Sequence, residues 1–413
     1  MDTREALHYI WKYRMVAKNK LKTLSGKNIE IISTGEEECG SHTFRNACIK
    51  IEGDEYNGYI KIEPTEWDNN AILSIVSHNN TCFINTETAL RIETNKLFED
   101  EFLAITYGKQ PCQEITKATD TLHINSYLSR LLIERIEDKA HRITTTHNLS
   151  DKRWEETLFR TLARNFGFGI QSDAFEKWAS ILDLTAMGKH RDNLLQIEAV
   201  FFGQAGLLES DSIPEFYRVE AERTPYYTEL KKEYKFLSAK FNLKQANHTI
   251  WRNGGNTTPH TRIARLAAMY HSGNISISSI AECDTLDELK RLLQTPLSGY
   301  WNNHTNFGGT TTIGRPESIS TKHLHLLIIN TIVPILYSYG KHRKDNTLCN
   351  KAEDYLHLLP PEDNGIIRNW AKMGLHANCA ADSQALIQLK KEYCNKKRCL
   401  DCQFAYRHLK SML

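Results

Sequence analysis

Three cysteines near the end of the chain, Cys394, Cys399 and Cys402, form a C-x4-C-x2-C arrangement among Lys396, Lys397 and Arg398. Two cysteines three positions apart can share one metal ion, and a third five residues earlier reaches the same ion when the intervening turn is tight. The basic neighbours are expected to favour thiolate, the form that ligates. Zinc or an iron–sulfur cluster normally takes four ligands, and this segment supplies three. Cys112, preceded by Pro111, is a candidate for the fourth, with Cys379, His376 and His408 as alternatives. The plainer reading is three free thiols beside a C-terminal helix.

A second group centres on Glu198, a carboxylate in the apolar run 194–202. Burial there demands a partner, and Arg164, Arg262 or Arg265 would serve in a structural ion pair. The functional alternative is a binding pocket lined by Glu198, Gln204 and Arg262. Trp251, Arg252, Tyr300, Trp301, His304 and Phe307 mix aromatics with bases, which suits base or sugar stacking but equally the edge of a helical core. His323 and His325, two apart on an expected helix, point to different faces and are not expected to share an ion. No G-x-G-x-x-G, P-loop, H-E-x-x-H or G-x-S-x-G is present, which argues against the standard dinucleotide, nucleotide, zincin and hydrolase sites.

The elements that must position these residues change character along the chain. After an opening helix over residues 3–21, segments 29–33, 44–52, 56–63, 71–77, 82–85 and 90–93 alternate or run apolar, separated by Gly, Asn and Asp. That pattern predicts a mixed or antiparallel meander, with a hairpin turn at Gly53 and Asp54. From Ile124 the apolar period becomes helical and stays so. Ser150 is the expected N-cap of a helix ending at Gly167, and a buried helix is expected over 322–339 despite Pro334. Residues 302–314, rich in Gly and Thr, are expected as a loop. The fold class is therefore α+β, with a strand-rich domain over 1–110 and a helical domain over 111–413 that carries the cysteine cluster.

The chain has 413 residues, 40% hydrophobic and 25% charged, a composition that supports about two or three globular domains. Its start lacks a signal peptide's apolar core, and its longest apolar stretch, 324–339, falls short of the ~20 residues of a membrane span. Ten cysteines without a disulfide framework fit a reducing compartment, so the expected location is cytoplasmic, without a membrane partner. Net charge is only +2, yet both ends are basic. Residues 1–23 hold six Lys and Arg against two acids, and residues 389–413 hold seven against two. Solvated helix faces explain this, as does a surface for nucleic acid.

The block KHRDNLLQIEAVFFGQAGLL at 189–208 resembles a bacterial, Bacteroidetes-type family, domain of unknown function 2851. The resemblance recurs in LHYIWKYR, RLLIERIEDKA, LARNFGFG, TRIARLAAM, INTIVP and DSQALIQLKKEYCNKKRCLDC, and so spans nearly the whole chain. It brings no activity with it. The family pattern implies a G-P-D-F turn, a strand ending E-I-H and a His-rich loop, whose acids would hold a divalent ion as in restriction-endonuclease-like folds. Here GSHTF and GYIKIE stand instead, the loop is cut to residues 67–70, and the two positions carry Thr43 and Lys61. Neither replaces a carboxylate, and Glu36, Glu37, Glu52, Glu63 and Glu66 are the surviving acids. The Pro111-Cys112 pair also looks familial, and three cysteines near a C-terminus plus one upstream is similar to the iron–sulfur clasp of certain nucleases. The expectation is a non-catalytic binding or scaffold protein with a degenerate nuclease-like first domain and a Cys-bound zinc or iron–sulfur cluster. The alternative is a metal-dependent nuclease or phosphodiesterase.

Overall fold

The computed structural model describes residues 3–16, 21–38, 41–66, 68–78, 85–107, 112–149, 153–251, 259–297, 299–311 and 319–413. The chain forms two compact units that are each discontinuous in sequence. The first comprises residues 1–127, 372–375 and 389–413, and the second comprises 128–371 and 376–388. This division differs from a single cut at residue 110, because the last 25 residues of the chain join the first unit.

The first unit opens with α1 (Thr3–Lys12), which buries Ala6, Leu7, Ile10 and Trp11. This helix stops short of the expected residue 21, because Arg14 takes a left-handed backbone (φ 49°) that no helix continues through. Strands β1 (Ile29–Ser33), β2 (Glu36–Glu37), β3 (Thr43–Ile51), β4 (Asp54–Ile62), β5 (Leu73–Val76) and β6 (Ala89–Arg91) form one sheet in the order β1-β3-β4-β5-β6, with β2 beside β3. Glu52 and Gly53, both at positive φ, make the two-residue turn joining β3 to β4. The sheet is antiparallel through β1, β3 and β4 but parallel at β4/β5 and β5/β6, so it is mixed. The expected strand 82–85 lies mostly outside the described residues. Helices α2 (Lys96–Thr106) and α3 (Cys112–Ala118) follow, and the C-terminal helix Gln403–Lys410 packs on both.

Helix α4 (Thr121–Leu149) carries the chain into the second unit. There α5 (Trp154–Phe166), α6 (Ser172–Ile181), α7 (Leu184–Gly188) and α8 (Leu194–Gln204) build the core. Residues Ile197, Ala199, Val200, Phe201 and Phe202 of α8 are fully enclosed, and helices Pro225–Phe241 and His260–Ser272 pack against them. Arg153 occupies the N-cap position of α5, and Ser150 lies outside the described residues.

The expected buried helix around 322–339 forms, with a π-helical turn at Ile328–Ile332 between Thr321–Leu327 and Val333–Arg343. Pro334 has no N–H to offer the Asn330 carbonyl, and the Asn165 side-chain amide donates to that oxygen instead, at 2.8 Å. The expected loop at 302–314 is not wholly irregular: His304–Asn306 and Gly309–Thr310 pair as a small hairpin. Among the described residues no helix is long and apolar enough to cross a membrane.

Candidate metal centre and cross-strand site

Cys112 opens α3, Cys394 ends the π-helical turn Leu389–Cys394, Cys399 opens the 3-10 turn Cys399–Asp401, and Cys402 precedes the C-terminal helix. All four belong to the first unit. Between the second and third of them the backbone reverses through Lys397 (φ 54°), closed by Lys397 N–H donating to Cys394 O at 3.2 Å and Arg398 N–H to Tyr393 O at 2.9 Å. This is the tight turn that the x4 spacing requires. Helix α1 holds the following residues in place, with Tyr9 donating to Leu400 O at 3.1 Å and Tyr13 to the Asp401 carboxylate at 2.9 Å. Tyr127 completes the surround, donating its hydroxyl to Cys402 Sγ at 3.6 Å with its ring edge-on to Phe404.

The four thiols sense one another. Burial pushes the Cys394 thiol up to about 12, and neighbouring Cys402, Cys112 and Cys399 add to the shift. Burial also raises Cys402, Cys399 and Cys112, with Cys112 adding to the rise at Cys402, Cys402 at Cys399, and Cys399 at Cys112. These shifts run opposite to the thiolate character expected from the basic neighbours. Two of the basic neighbours are occupied elsewhere, Lys396 pairing with Glu392 and Arg398 with Asp401 at 2.9 Å while lying over the Tyr393 ring, whereas Lys390 opposes the rise at Cys394 and Cys112. Among the described residues, no three His, Cys, Asp or Glu side chains stand close enough to hold an ion as placed. Ligation at the ~2.3 Å of a zinc–sulfur bond thus needs the sulfurs to draw together and lose their protons.

The alternative fourth ligands have other contacts. His408 pairs with Glu101 at 3.2 Å. Cys379 and His376 belong to the second unit, where Cys379 Sγ faces His357 Nδ1 at 3.9 Å.

On the sheet, Thr43 of β3 and Lys61 of β4 are direct cross-strand partners, so the two positions singled out in the sequence do meet. Lys61 forms an ion pair with Asp68, and Tyr59 donates to the same carboxylate at 2.8 Å. These contacts, the Lys61 hydrogen bond first, pull the Asp68 carboxyl down to about 2. The surviving acids are dispersed: Glu37 takes Lys12 at 2.7 Å, Glu52 accepts from Asn28 N–H, Glu63 accepts from Ser77 N–H, and Glu36 and Glu66 are exposed. His8 lies against Phe44 and His42, its pKa lowered by burial. Trp67 is outside the described residues.

The pocket expected from Glu198, Gln204 and Arg262 is not assembled. Buried Glu198 accepts from Tyr226 at 2.9 Å, and Tyr226 in turn accepts from Trp301 Nε1 at 2.9 Å. Arg262 donates to Phe166 O at 3.4 Å and Gly167 O at 3.3 Å and lies over the Phe168 ring. Gln204 donates to Ile181 O at 3.0 Å and Lys244 O at 2.8 Å and lines a cavity of about 350 Å³ with Arg153 and Arg160 rather than Arg262. Arg164 pairs with Glu176, and Arg265 donates to Thr295 O at 2.9 Å. The aromatic group is core: Trp251, Trp301 and Phe307 are buried, and Trp251 donates to Ala205 O at 2.8 Å. Arg252 lies outside the described residues. His323 packs on Phe168 and bonds Ser320.

A second cavity of about 350 Å³, beside α5, was not foreseen in the sequence. Nothing short-range marks it, because its walls come from α5, from Leu184 and Arg191, and from residues 266–276.

The fold and these sites define an α+β chain with a mixed sheet, a helical core and four free thiols drawn from α3 and the C-terminal segment. The chain belongs to the family described as protein of unknown function (DUF2851), which matches residues 4–365. The match covers the cross-strand site and Cys112 but ends before Cys394, Cys399 and Cys402. No curated protein and no solved structure matches the chain.

Proposed function

We propose that this protein is a non-catalytic binding or scaffold protein whose first unit descends from a nuclease-like domain and is closed by a thiol-bound metal. The observation that carries the reading is the Thr43–Lys61 cross-strand pair. A hydrolytic metal site needs carboxylates facing each other there. An ammonium group stands at that place instead, already paired with Asp68, which supports the reading that no divalent cation is held there. Metal titration tests this: no Mg²⁺- or Mn²⁺-dependent cleavage of DNA or RNA is expected. Cleavage abolished by Glu63→Gln or Asp68→Asn would overturn it in favour of a nuclease.

The donor set supports a structural rather than catalytic metal. Four sulfurs from Cys112, Cys394, Cys399 and Cys402 suit zinc or an iron–sulfur cluster, and binding would tie residues 389–413 to α3. Either metal would supply cross-linking here, while Tyr127 stabilises charge on Cys402 sulfur.

Nucleic acid is the partner that charge placement favours. The two basic ends meet in the first unit through Tyr9 and Tyr13, forming the condition for one cationic face. Fluorescence polarisation with a labelled oligonucleotide should show affinity falling by about tenfold or more between 50 and 200 mM salt. Binding indifferent to salt would remove this partner.

A further inference from the structure

The cavity beside α5 belongs to neither the thiol neighbourhood nor the cross-strand site. Its volume of about 350 Å³ suits a small organic molecule. Buried Leu158, Phe159 and Leu162 from α5 and Leu266 and Met269 from helix His260–Ser272 give it an apolar floor. Exposed Arg153, Glu155, Thr185 and Arg191 stand at its rim.

The rim charges differ in what they already hold. Arg153 pairs with buried Glu156, whose other oxygen takes Arg160 at 2.6 Å, and it donates to Thr185 at 2.7 Å. Glu155 accepts from Ile277 N–H at 3.0 Å. Arg191 is fixed without being neutralised. Its Nε donates to Tyr270 O at 2.8 Å, its guanidinium lies 5.1 Å from the Tyr270 ring centre, and its carbonyl accepts from His271 Nδ1 at 2.6 Å. Gly273 (φ 69°) makes room for it, since a Cβ there would lie 3.1 Å from Arg191 Nη2. Among the described residues no carboxylate pairs with Arg191.

An immobilised guanidinium presents a two-toothed donor fork that matches an oxyanion, and holding it in place beforehand removes much of the ordering cost of binding. A ligand's apolar body gains by leaving water for such a floor. We propose that this cavity binds a small organic anion, a carboxylate or phosphate monoester on an apolar body, with Arg191 pairing the oxyanion and the floor of α5 and helix His260–Ser272 covering the body.

Calorimetric titration of the full chain with 2-naphthoate, 2-naphthyl phosphate and neutral 2-naphthylmethanol tests this. At least one anion should bind about tenfold or more tightly than the neutral probe. Preference for the carboxylate or the phosphate names the source of the oxyanion. Arg191→Gln should erase the preference while leaving the neutral probe's affinity within about twofold. Ile275→Trp, at a half-buried position lining the cavity, should abolish binding of all three without loss of the folded circular-dichroism spectrum. Thr185→Trp at the exposed rim serves if that variant does not fold. Equal affinity for anion and neutral probe, anion binding unchanged by Arg191→Gln, or no binding of any probe would each overturn the assignment.

Discussion

Two sets of cysteines, one in each unit, are placed differently. In the second unit Cys283 and Cys349 are buried singly, donating to Ser279 O at 3.2 Å and Tyr337 O at 3.6 Å, each inside helix packing. In the first unit Cys112, Cys394, Cys399 and Cys402 lie in one neighbourhood and raise one another's pKa. An isolated buried thiol is a small apolar group with a weak donor. Grouped thiols can give up their protons to solvent and share a cation in their place. The difference lies in placement, and substitution can test it.

The largest effect is expected at the group. Protein purified without oxygen should carry about one zinc or one iron–sulfur cluster per chain, visible absorbance deciding between them. Stripping the metal, or Cys399→Ser, should cost the first unit about 5 kcal/mol or more in denaturant unfolding. Cys283→Ser and Cys349→Ser should cost about 1 kcal/mol. Equal costs at all these positions, with no metal bound, would break the comparison and leave ordinary thiols everywhere.

Next in size comes the second unit's own core. Phe202→Ala removes a fully enclosed ring packed on Trp301 and Phe307 and should cost about 3–5 kcal/mol. Urea unfolding followed by tryptophan fluorescence should show the loss while metal content stays unchanged. A parallel loss of metal would show that the units do not stand separately.

The smallest effect sharpens the cross-strand site. Asp68 is held at about 2, below its ordinary 3.8, so its pairing contributes fully above about pH 4 and fades as pH falls through about 2. The pair is partly exposed, and screening limits it to about 1 kcal/mol or less. Lys61→Met should reduce that acid-side decline in the urea midpoint measured between pH 2 and 5, Tyr59 still holding the Asp68 carboxylate. An unchanged pH profile would show that Lys61 is only a surface charge.

Alternation along residues 29–33, 44–52 and 56–63 made β1, β3 and β4 legible, because a half-buried strand writes its two faces into the sequence. Their neighbours were harder to read. Alternation reports which face is buried and carries no information on direction, so the parallel pairing of β5 and β6 was hidden. The early end of α1 was hidden too, since no proline or glycine marks it and an arginine adopts the left-handed turn. Residue type and spacing drew attention to the C-terminal trio, whereas Cys112, 282 residues before Cys394, stood only as one candidate among Cys379, His376 and His408. Glu198 and Gln204 share an apolar helix, yet six positions on a 3.6-residue helix put their side chains about 120° apart. Arg191 gave no signal, its anchor at Tyr270 lying 79 residues away in the chain.

The discontinuous first unit also fixes an order of events during synthesis. A chain emerging from the ribosome brings out residues 128–371 and 376–388, and with them the whole second unit, before residues 389–413 follow. Until then α2 and α3 lack the C-terminal helix that packs on them. At ordinary elongation rates that wait lasts roughly 15 to 50 s after residue 127 is made. A chain truncated before residue 389 and released from the ribosome should therefore hold a finished second unit, while its first 127 residues remain the part that chaperones and proteases can reach.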